Sequence, residues 1–271
     1  MRKILIIGKR GFLGNSLYKY LKTKFKCKLI NFKDFSKIKN KINEYNYIIN
    51  CSINRRYINR KYNQKYDNDL KISKIIKGKK IKLMFLSSRK VYKSKPNIKE
   101  NDRVLPKSNY SKNKLISEKK LTNLLGKNLI ILRISNIIGD RSKRKKLHYT
   151  FVDSFFDNAN KGLIYNNRNQ FKDFISLDKF CIIVAQIIKK EISGIYNVSI
   201  GRKIKTNSIV NWLNFYNPRK CITLNVKNNQ HSFYLNNSKL MKKIFIKNSI
   251  TDLKKYCLKL SKKNFINLIK N

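Results

Sequence analysis

Acidic residues are scarce in this chain. Its 271 residues hold 14 Asp and Glu against 64 Lys and Arg, a formal net charge of +50. Histidine is nearly absent: only His148 and His231 occur, which excludes a His-rich metal centre, so no bound metal is expected. The five cysteines, Cys27, Cys51, Cys181, Cys221 and Cys257, lie far apart without a C-x-x-C pair, and reduced, mostly buried thiols are expected. No apolar run approaches the roughly 20 residues that span a bilayer. Ile4–Ile7 is too short for the core of an export signal and ends in a glycine turn, so the expectation is a cytoplasmic protein without a membrane partner.

An excess of cations this large normally points to nucleic acid. Here the lysines run along the whole chain instead of gathering in one arm, and Asn and Ile are abundant with them, as codon bias toward Lys, Asn and Ile produces. The charge therefore reads as compositional drift before it reads as a nucleic-acid footprint. Either origin gives a surface that attracts anions, less strongly as salt rises.

Glycine is also sparse, yet three of the 9 glycines, Gly8, Gly11 and Gly14, fall within seven residues. They follow the apolar run Lys3–Ile7 and open an amphipathic stretch from Phe12 to about Lys24. That order predicts strand, tight turn and helix. Glycine permits the sharp turn and lets a diphosphate approach the main chain, while the new helix aims its free N–H groups at the phosphates. The spacing is G-x-x-G-x-x-G, which alone also fits an ordinary βα turn. Gly8, Arg10, Gly11, Phe12, Leu13 and Gly14 are the candidate cofactor-binding residues of this turn.

Short apolar runs alternate with longer amphipathic segments. Strands are expected at Lys28–Phe32, Tyr47–Cys51, Lys82–Ser87 and Leu129–Ser135, with helices around Asn68–Ile76 and from Tyr110 to about Leu125. This rhythm predicts a Rossmann-like α/β fold, a doubly wound parallel sheet with the ligand at the strands' carboxyl ends. Beyond Gly139 the rhythm loosens. A solvated loop (Arg141–Lys146), a helix (Phe151–Asn160), a polar hairpin-like stretch (Tyr165–Gln170), a strand (Asp173–Leu177), a helix (Asp178 to about Lys190) and a strand (Gly194–Ser199) are expected. The last seventy residues read as short helices and one strand. The expected organisation is a dinucleotide-binding domain over 1–140 and a small mixed α/β substrate lobe over 141–271, partly interleaved with the first.

Chemistry gathers around Phe85-Leu-Ser-Ser-Arg-Lys-Val-Tyr92 and Asn109-Tyr110-Ser-Lys-Asn-Lys114. Tyr110 and Lys114 are one helical turn apart and share a face. A cation there would favour the phenolate form, and a Ser88 hydroxyl at the strand end could bond the same substrate oxygen. Tyr-x-x-x-Lys also recurs at Tyr18/Lys22, Tyr20/Lys24 and Tyr57/Lys61, where it reads as a solvated helix face. The context after the Ser-Ser-x-x-Val-Tyr strand end singles out Tyr110.

At these residues the chain resembles the extended short-chain dehydrogenases/reductases, the NAD-dependent epimerase/dehydratase group acting on nucleotide sugars. The likeness covers nearly the whole length. It includes the glycine turn, Asn50-Cys51-Ser52 at the end of the third strand, Ser87–Tyr92, Tyr110 with Lys114, Arg133-Ile-Ser-Asn136-Ile-Ile-Gly139, Lys172-Asp-Phe-Ile175 and Gly194-Ile-Tyr-Asn197. The resemblance implies Ser88, Tyr110 and Lys114 as catalytic residues, with Tyr110 and Lys114 also meeting the cofactor. It implies Asn50, Cys51 and Ser52 beside the cofactor, and Ser88, Asn136 and Lys172 toward substrate. It further implies an NAD(P)-dependent epimerase or 4-keto-sugar reductase supplying surface-polysaccharide precursors, and a homodimer through the Tyr110 helix.

Departures from the family pattern narrow this. Lys172 replaces the usual Arg and loses its bidentate fork. Arg89 and Lys90 occupy the places where 4,6-dehydratases carry an Asp-Glu pair, which argues against dehydration. At the end of the second strand Asn31 and Phe32 stand near the place where a carboxylate would favour NAD, with Lys33 next to them, and Arg10 could meet a 2′-phosphate. The lean is to NADP, with Asp34 keeping NAD open. The competing reading is a catalytically retired Rossmann domain that binds nucleic acid through its basic surface. Tyr92 and Phe174 read as packing residues.

Overall fold

The computed structural model describes residues 1–140, 150–167, 169–226 and 232–269. The loop expected at Arg141–Lys146, and both histidines, lie outside the described residues. The first half of the chain runs β1 (Lys3–Ile7), α1 (Phe12–Leu21), β2 (Lys26–Ile30), β3 (Tyr47–Asn50), α2 (Arg55–Asn59), α3 (Asn68–Ile76), β4 (Lys82–Ser88), α4 (Asn109–Leu125) and β5 (Leu129–Ile134). These strands are joined by a later one, β10 (Gly194–Val198), in a six-stranded parallel sheet ordered β10-β5-β4-β3-β1-β2.

Strand β1 is apolar at four consecutive positions because both of its faces are covered. Ile4 and Ile6 join a core under α1 with Leu17 and Leu21, while Leu5 and Ile7 join the opposite core with Ile72 and Ile76 of α3 and Leu121 of α4. Fully burying each such side chain contributes about 1.5–3 kcal/mol. The sheet is therefore doubly wound, and its strand order reverses at β1, which has β2 on one side and β3 on the other. The crevice at that reversal, beyond the carboxyl ends of β1 and β3, is where this architecture receives ligands.

Strand β2 ends at Ile30, two residues earlier than the sequence suggests. It is the sheet edge and alternates in exposure, so Lys26 and Lys28 can face water, and Phe32 instead begins a short 3-10 turn.

The second half contains β6 (Asn136–Ile138), α5 (Phe151–Ala159), β7 (Leu163–Asn166), β8 (Phe171–Lys172), β9 (Phe174–Ser176), α6 (Leu177–Lys189), β10, β11 (Ile204–Lys205), α7 (Thr206–Asn214), β12 (Ile222–Asn225), α8 (Ser238–Ile244) and α9 (Ile250–Ile269). Helix α6 returns to the main sheet, where Phe180, Ile183 and Val184 pack in the core that holds Leu17 and Leu21. A separate core unites Val152, Phe155, Ile209, Leu213, Leu253 and Phe265 from α5, α7 and α9. The hairpin-like stretch is not a hairpin: β7 pairs in parallel with the distant β12. The C-terminal region also ends in a 20-residue helix, α9, where short helices were expected; Leu253, Cys257, Leu260 and Phe265 give it a continuous buried face. Among the described residues no helix is long and apolar enough to cross a membrane.

Candidate active site

The turn after β1 is packed against the end of β3. Gly8 has φ +126°, in the region that favours glycine, and a Cβ there would lie 3.1 Å from the Cys51 carbonyl carbon and Cβ. A Cβ on Gly14 would lie 2.5 Å from the Gly8 carbonyl oxygen. Gly11 donates its N–H to that same oxygen (2.9 Å) and caps α1 without any side-chain hydrogen bond, which leaves the positive end of the helix open to an anion. Phe12 and Leu13 form the first turn of α1. Asn50, Cys51 and Ser52 stand across this turn. The Asn50 Oδ1 accepts from the Ser52 N–H (3.0 Å) and hydroxyl (2.6 Å), and Asn68 donates to Ser52 Oγ, fixing the loop. Burial pushes the Cys51 thiol well up, so it is a neutral wall.

At the end of β2, Ile30 accepts from the N–H groups of Gly8 and Lys9, which joins the two strand ends. Asn31 follows directly and donates its side-chain amide to Asp34 (3.2 Å). Arg10 and Lys33 are exposed on this rim.

Ser88 ends β4, where its hydroxyl accepts from the Lys90 N–H (3.2 Å). Tyr110 and Lys114 come from α4, which begins at Asn109 because Ser108 and Ser111 form a reciprocal cap. The helix is anchored from beneath: Asn113 donates to the carbonyls of Tyr57 (2.7 Å) and Arg60 (2.8 Å), and Ser117 donates to Asp67 (2.6 Å). Ser88, Tyr110 and Asn136 line one cleft of about 260 Å³, together with Leu13 from the glycine-turn helix. Lys114 is buried behind it, its ammonium 4.4 Å from the Phe85 ring centroid and 6.0 Å from that of Tyr110. The Lys90 ammonium stands 6.0 Å from the Tyr110 ring as well. The tyrosine therefore sits in the field of two cations.

Asn136 already donates its amide to the Asp173 carbonyl (3.0 Å), so its amide oxygen is the group it can offer to a ligand. Lys172 lines a neighbouring cleft with Arg89 and Lys90 instead of the cleft of Ser88 and Tyr110. Burial, then Arg89 and Lys90, push the Lys172 ammonium down to about 8.

Two features escape sequence reasoning. Asp69 of α3 is buried, with one carboxylate oxygen lacking a hydrogen-bond partner; burial pushes it up to about 7 while the field of Lys114 pulls the other way. The second is a polar network below the cleft. Ser87 donates to Glu118 (2.5 Å), Arg133 donates to Glu118 and to the Tyr92 hydroxyl (2.8 Å), and Tyr92 donates to Asn197 (3.0 Å). Glu118 follows Tyr110 and Lys114 at the same four-residue spacing on α4, a signal in the sequence that places it on the face of α4 turned toward the sheet, where it meets Arg133.

The profile of the NAD-dependent epimerase/dehydratase family matches residues 4–199. The chain belongs to that family. Three solved structures display the fold of the family member. A UDP-N-acetylglucosamine 4-epimerase from Methanobrevibacter ruminantium, in complex with UDP-N-acetylmuramic acid, superposes with TM-score 0.79 at 20% identity over 98% of this chain and 99% of that one. A dTDP-glucose 4,6-dehydratase from Bacillus anthracis, in complex with NAD, gives 0.77 at 15% identity over 98% and 97%. A dTDP-4-dehydrorhamnose reductase from Yersinia enterocolitica gives 0.75 at 18% identity over 98% and 100%. No curated protein sequence matches the chain significantly. A dinucleotide fits the residues present, because the glycine cradle excludes any Cβ at Gly14 and α1 opens uncapped onto the crevice.

Proposed function

We propose that this family member is an NAD(P)-dependent epimerase or 4-keto-sugar reductase of nucleotide-linked sugars. One observation carries the reading: Ser88, Tyr110 and Asn136 share a single cleft with Leu13 of the cofactor helix, and Lys114 lies beside the phenol ring. A bound nicotinamide supplies the hydride acceptor or donor. Tyr110 moves the proton at the sugar's reacting hydroxyl or keto oxygen, Ser88 hydrogen-bonds that same oxygen, and Lys114 supplies positive charge near the phenol. Asn136 and Lys172 are assigned to substrate. The residues Gly8, Arg10, Gly11, Phe12, Leu13, Gly14, Asn31, Lys33, Asn50, Cys51 and Ser52 are assigned to the cofactor. Arg89 and Lys90 follow Ser88 directly and cannot perform the carboxylate acid/base work of dehydration.

The solved relatives support this range of chemistry, since they include an epimerase and a reductase, and the dehydratase was crystallised with NAD. Exposed Arg10 and Lys33 on the cofactor rim favour NADP, and Asp34 favours NAD. A homodimer through α4 belongs to the same reading.

Native mass spectrometry of the purified protein, followed by turnover assays with UDP- and dTDP-linked sugars, tests it. Retained NAD with interconversion of two sugars indicates an epimerase. An empty pocket that takes up NADPH and consumes it with a keto sugar indicates a reductase. Nucleic acid retained with a steep salt dependence, and no nicotinamide bound, would replace this reading with that of a retired domain.

A further inference from the structure

Next to the cleft of Ser88 and Tyr110 lies a second one of about 380 Å³, to which Arg89, Lys90, Lys93, Lys107 and Lys172 all contribute. No carboxylate lines it, and among the described residues no ion pair joins any of these five cations to an acid. Lys90 is a wall common to both clefts, so the cationic space continues directly from the reacting groups. It includes no residue of the glycine turn, of the β2 end or of the β3 end.

Arg89 is the fixed element of this site. Its guanidinium lies 3.8 Å from the Phe233 ring centroid, and Nη1 donates to Ser94 Oγ (3.2 Å). Nε is buried and makes no hydrogen bond. Stacking on Phe233 and the bond to Ser94 hold this planar, always-charged group in place at the cleft, the geometry that suits a carboxylate. Arg89, Lys90 and Lys172 line this one cleft, and burial followed by the charges of Arg89 and Lys90 depresses the proton affinity of Lys172, a cost that a bound anion would offset.

We propose that this cleft receives a carboxylate carried by the sugar itself, so that the preferred substrate is a nucleotide-linked uronate or similar acidic sugar, with Arg89 and Lys90 setting that preference. The inference rests on the sugar-nucleotide reading above. It places the carboxylate on the sugar because Arg89 and Lys90 directly follow Ser88 and Lys90 also lines the cleft of Tyr110, where the sugar's reacting carbon lies. The absence of glycine-turn residues excludes the cofactor's diphosphate. The nucleotide's own diphosphate is the competing anion.

The test is calorimetric binding to the full chain with NAD present. Free UDP and dTDP are titrated first. The nucleotide bound more tightly is then used in its glucosyl, glucuronyl and galacturonyl forms. The expected result is at least one uronyl form binding about tenfold or more tightly than the glucosyl form, the scale of one well-placed charge-assisted contact. Arg89→Gln should abolish that preference while leaving affinity for the free nucleotide unchanged. Lys90→Gln, at an exposed position, should weaken it in the same sense. Equal affinity of the wild type for neutral and acidic sugars overturns the proposal. A parallel loss for free nucleotide and all three sugars in both variants also overturns it, by assigning the cations to the diphosphate. Failure of the wild type to bind UDP or dTDP at all overturns the sugar-nucleotide reading itself, and the inference with it.

Discussion

Arg133 of β5 grips Glu118 of α4 in a buried bidentate ion pair, with Nη2 2.6 Å from Oε2 and Nε 3.1 Å from Oε1, both side chains nearly sealed from solvent at 6% and 4% exposure. The pair lies one helical turn below Lys114 and ties α4 to the sheet. Ser87 and Tyr92 complete its hydrogen bonding. Removing one partner leaves an uncompensated charge in the interior, which costs about 3–5 kcal/mol. Glu118→Ala should therefore shift the urea unfolding midpoint strongly downward. A loss below about 1 kcal/mol, the scale of an exposed pair, would show that water reaches the site.

This network explains why parts of the sequence are legible as motifs without being legible as functions. Arg133, Tyr92 and Asn197 lie in three segments that resemble the family, yet they meet one another and not the candidate reaction cleft. Periodicity along the chain reveals the parallel sheet because Ile4–Ile7 must be apolar on both faces. It also reveals Tyr110 with Lys114, because their spacing is local. The contact of Cys51 with Gly8 is set by strand order, and the meeting of Arg89 with Lys172 by the return of the chain through β8. Neither has a local signal. Edge strand β2 is misplaced by two residues for a related reason: one face of it is wet, so its lysines do not mark its boundary.

Gly14 provides a sharper test of the cofactor turn than Gly8, since it lies inside a helix where alanine is ordinarily favoured by about 1 kcal/mol. A Cβ there would sit 2.5 Å from a backbone oxygen that cannot rotate away, whereas at Gly11 the same oxygen is 3.3 Å distant. Overpacking of this kind costs about 1–3 kcal/mol and outweighs the helix gain. Gly14→Ala should lower stability and abolish NAD(H) binding measured by fluorescence. Gly11→Ala should do less of both. The reverse order would mean that the turn is looser than its packing indicates.

Neighbouring Lys172 and Asp173 both shift toward neutrality. Burial pushes Asp173 up to about 7 against hydrogen bonds from the N–H groups of Leu235 and Gly201, and pushes Lys172 down to about 8 with the help of Arg89 and Lys90. The native chain thus binds more protons at Asp173 than the unfolded chain, whose carboxyl titrates near about 4, and stability falls as pH rises from there through 7. At Lys172 the native chain binds fewer protons than the unfolded one, so the contribution is unfavourable below 8 and recovers as pH rises toward about 10.4. Urea unfolding at a series of pH values should show Lys172→Met more stable than wild type at pH 7, with the gap closing at high pH. Asp173→Asn should flatten the slope between pH 4 and 7. A gap for Lys172→Met that stays constant across the range would remove the electrostatic explanation.

Ser88 and Tyr110 line the same cleft, and the proposed chemistry has them serve one substrate oxygen. Groups that act as a unit do not add: once one is gone, the other has little left to assist. Tyr110→Phe should lower turnover by about 10²–10⁴-fold, the usual contribution of a positioned proton donor. Ser88→Ala should cost less, because it removes a hydrogen bond and leaves the proton carrier. The double variant should then be scarcely worse than Tyr110→Phe alone. This cycle is measured as kcat/KM on whichever sugar nucleotide the binding series selects, with NAD(H) affinity monitored in each variant to separate chemistry from cofactor loss. Losses that multiply in full would mean the two hydroxyls act on different atoms, and the assignment of Ser88 as the partner of Tyr110 would fail.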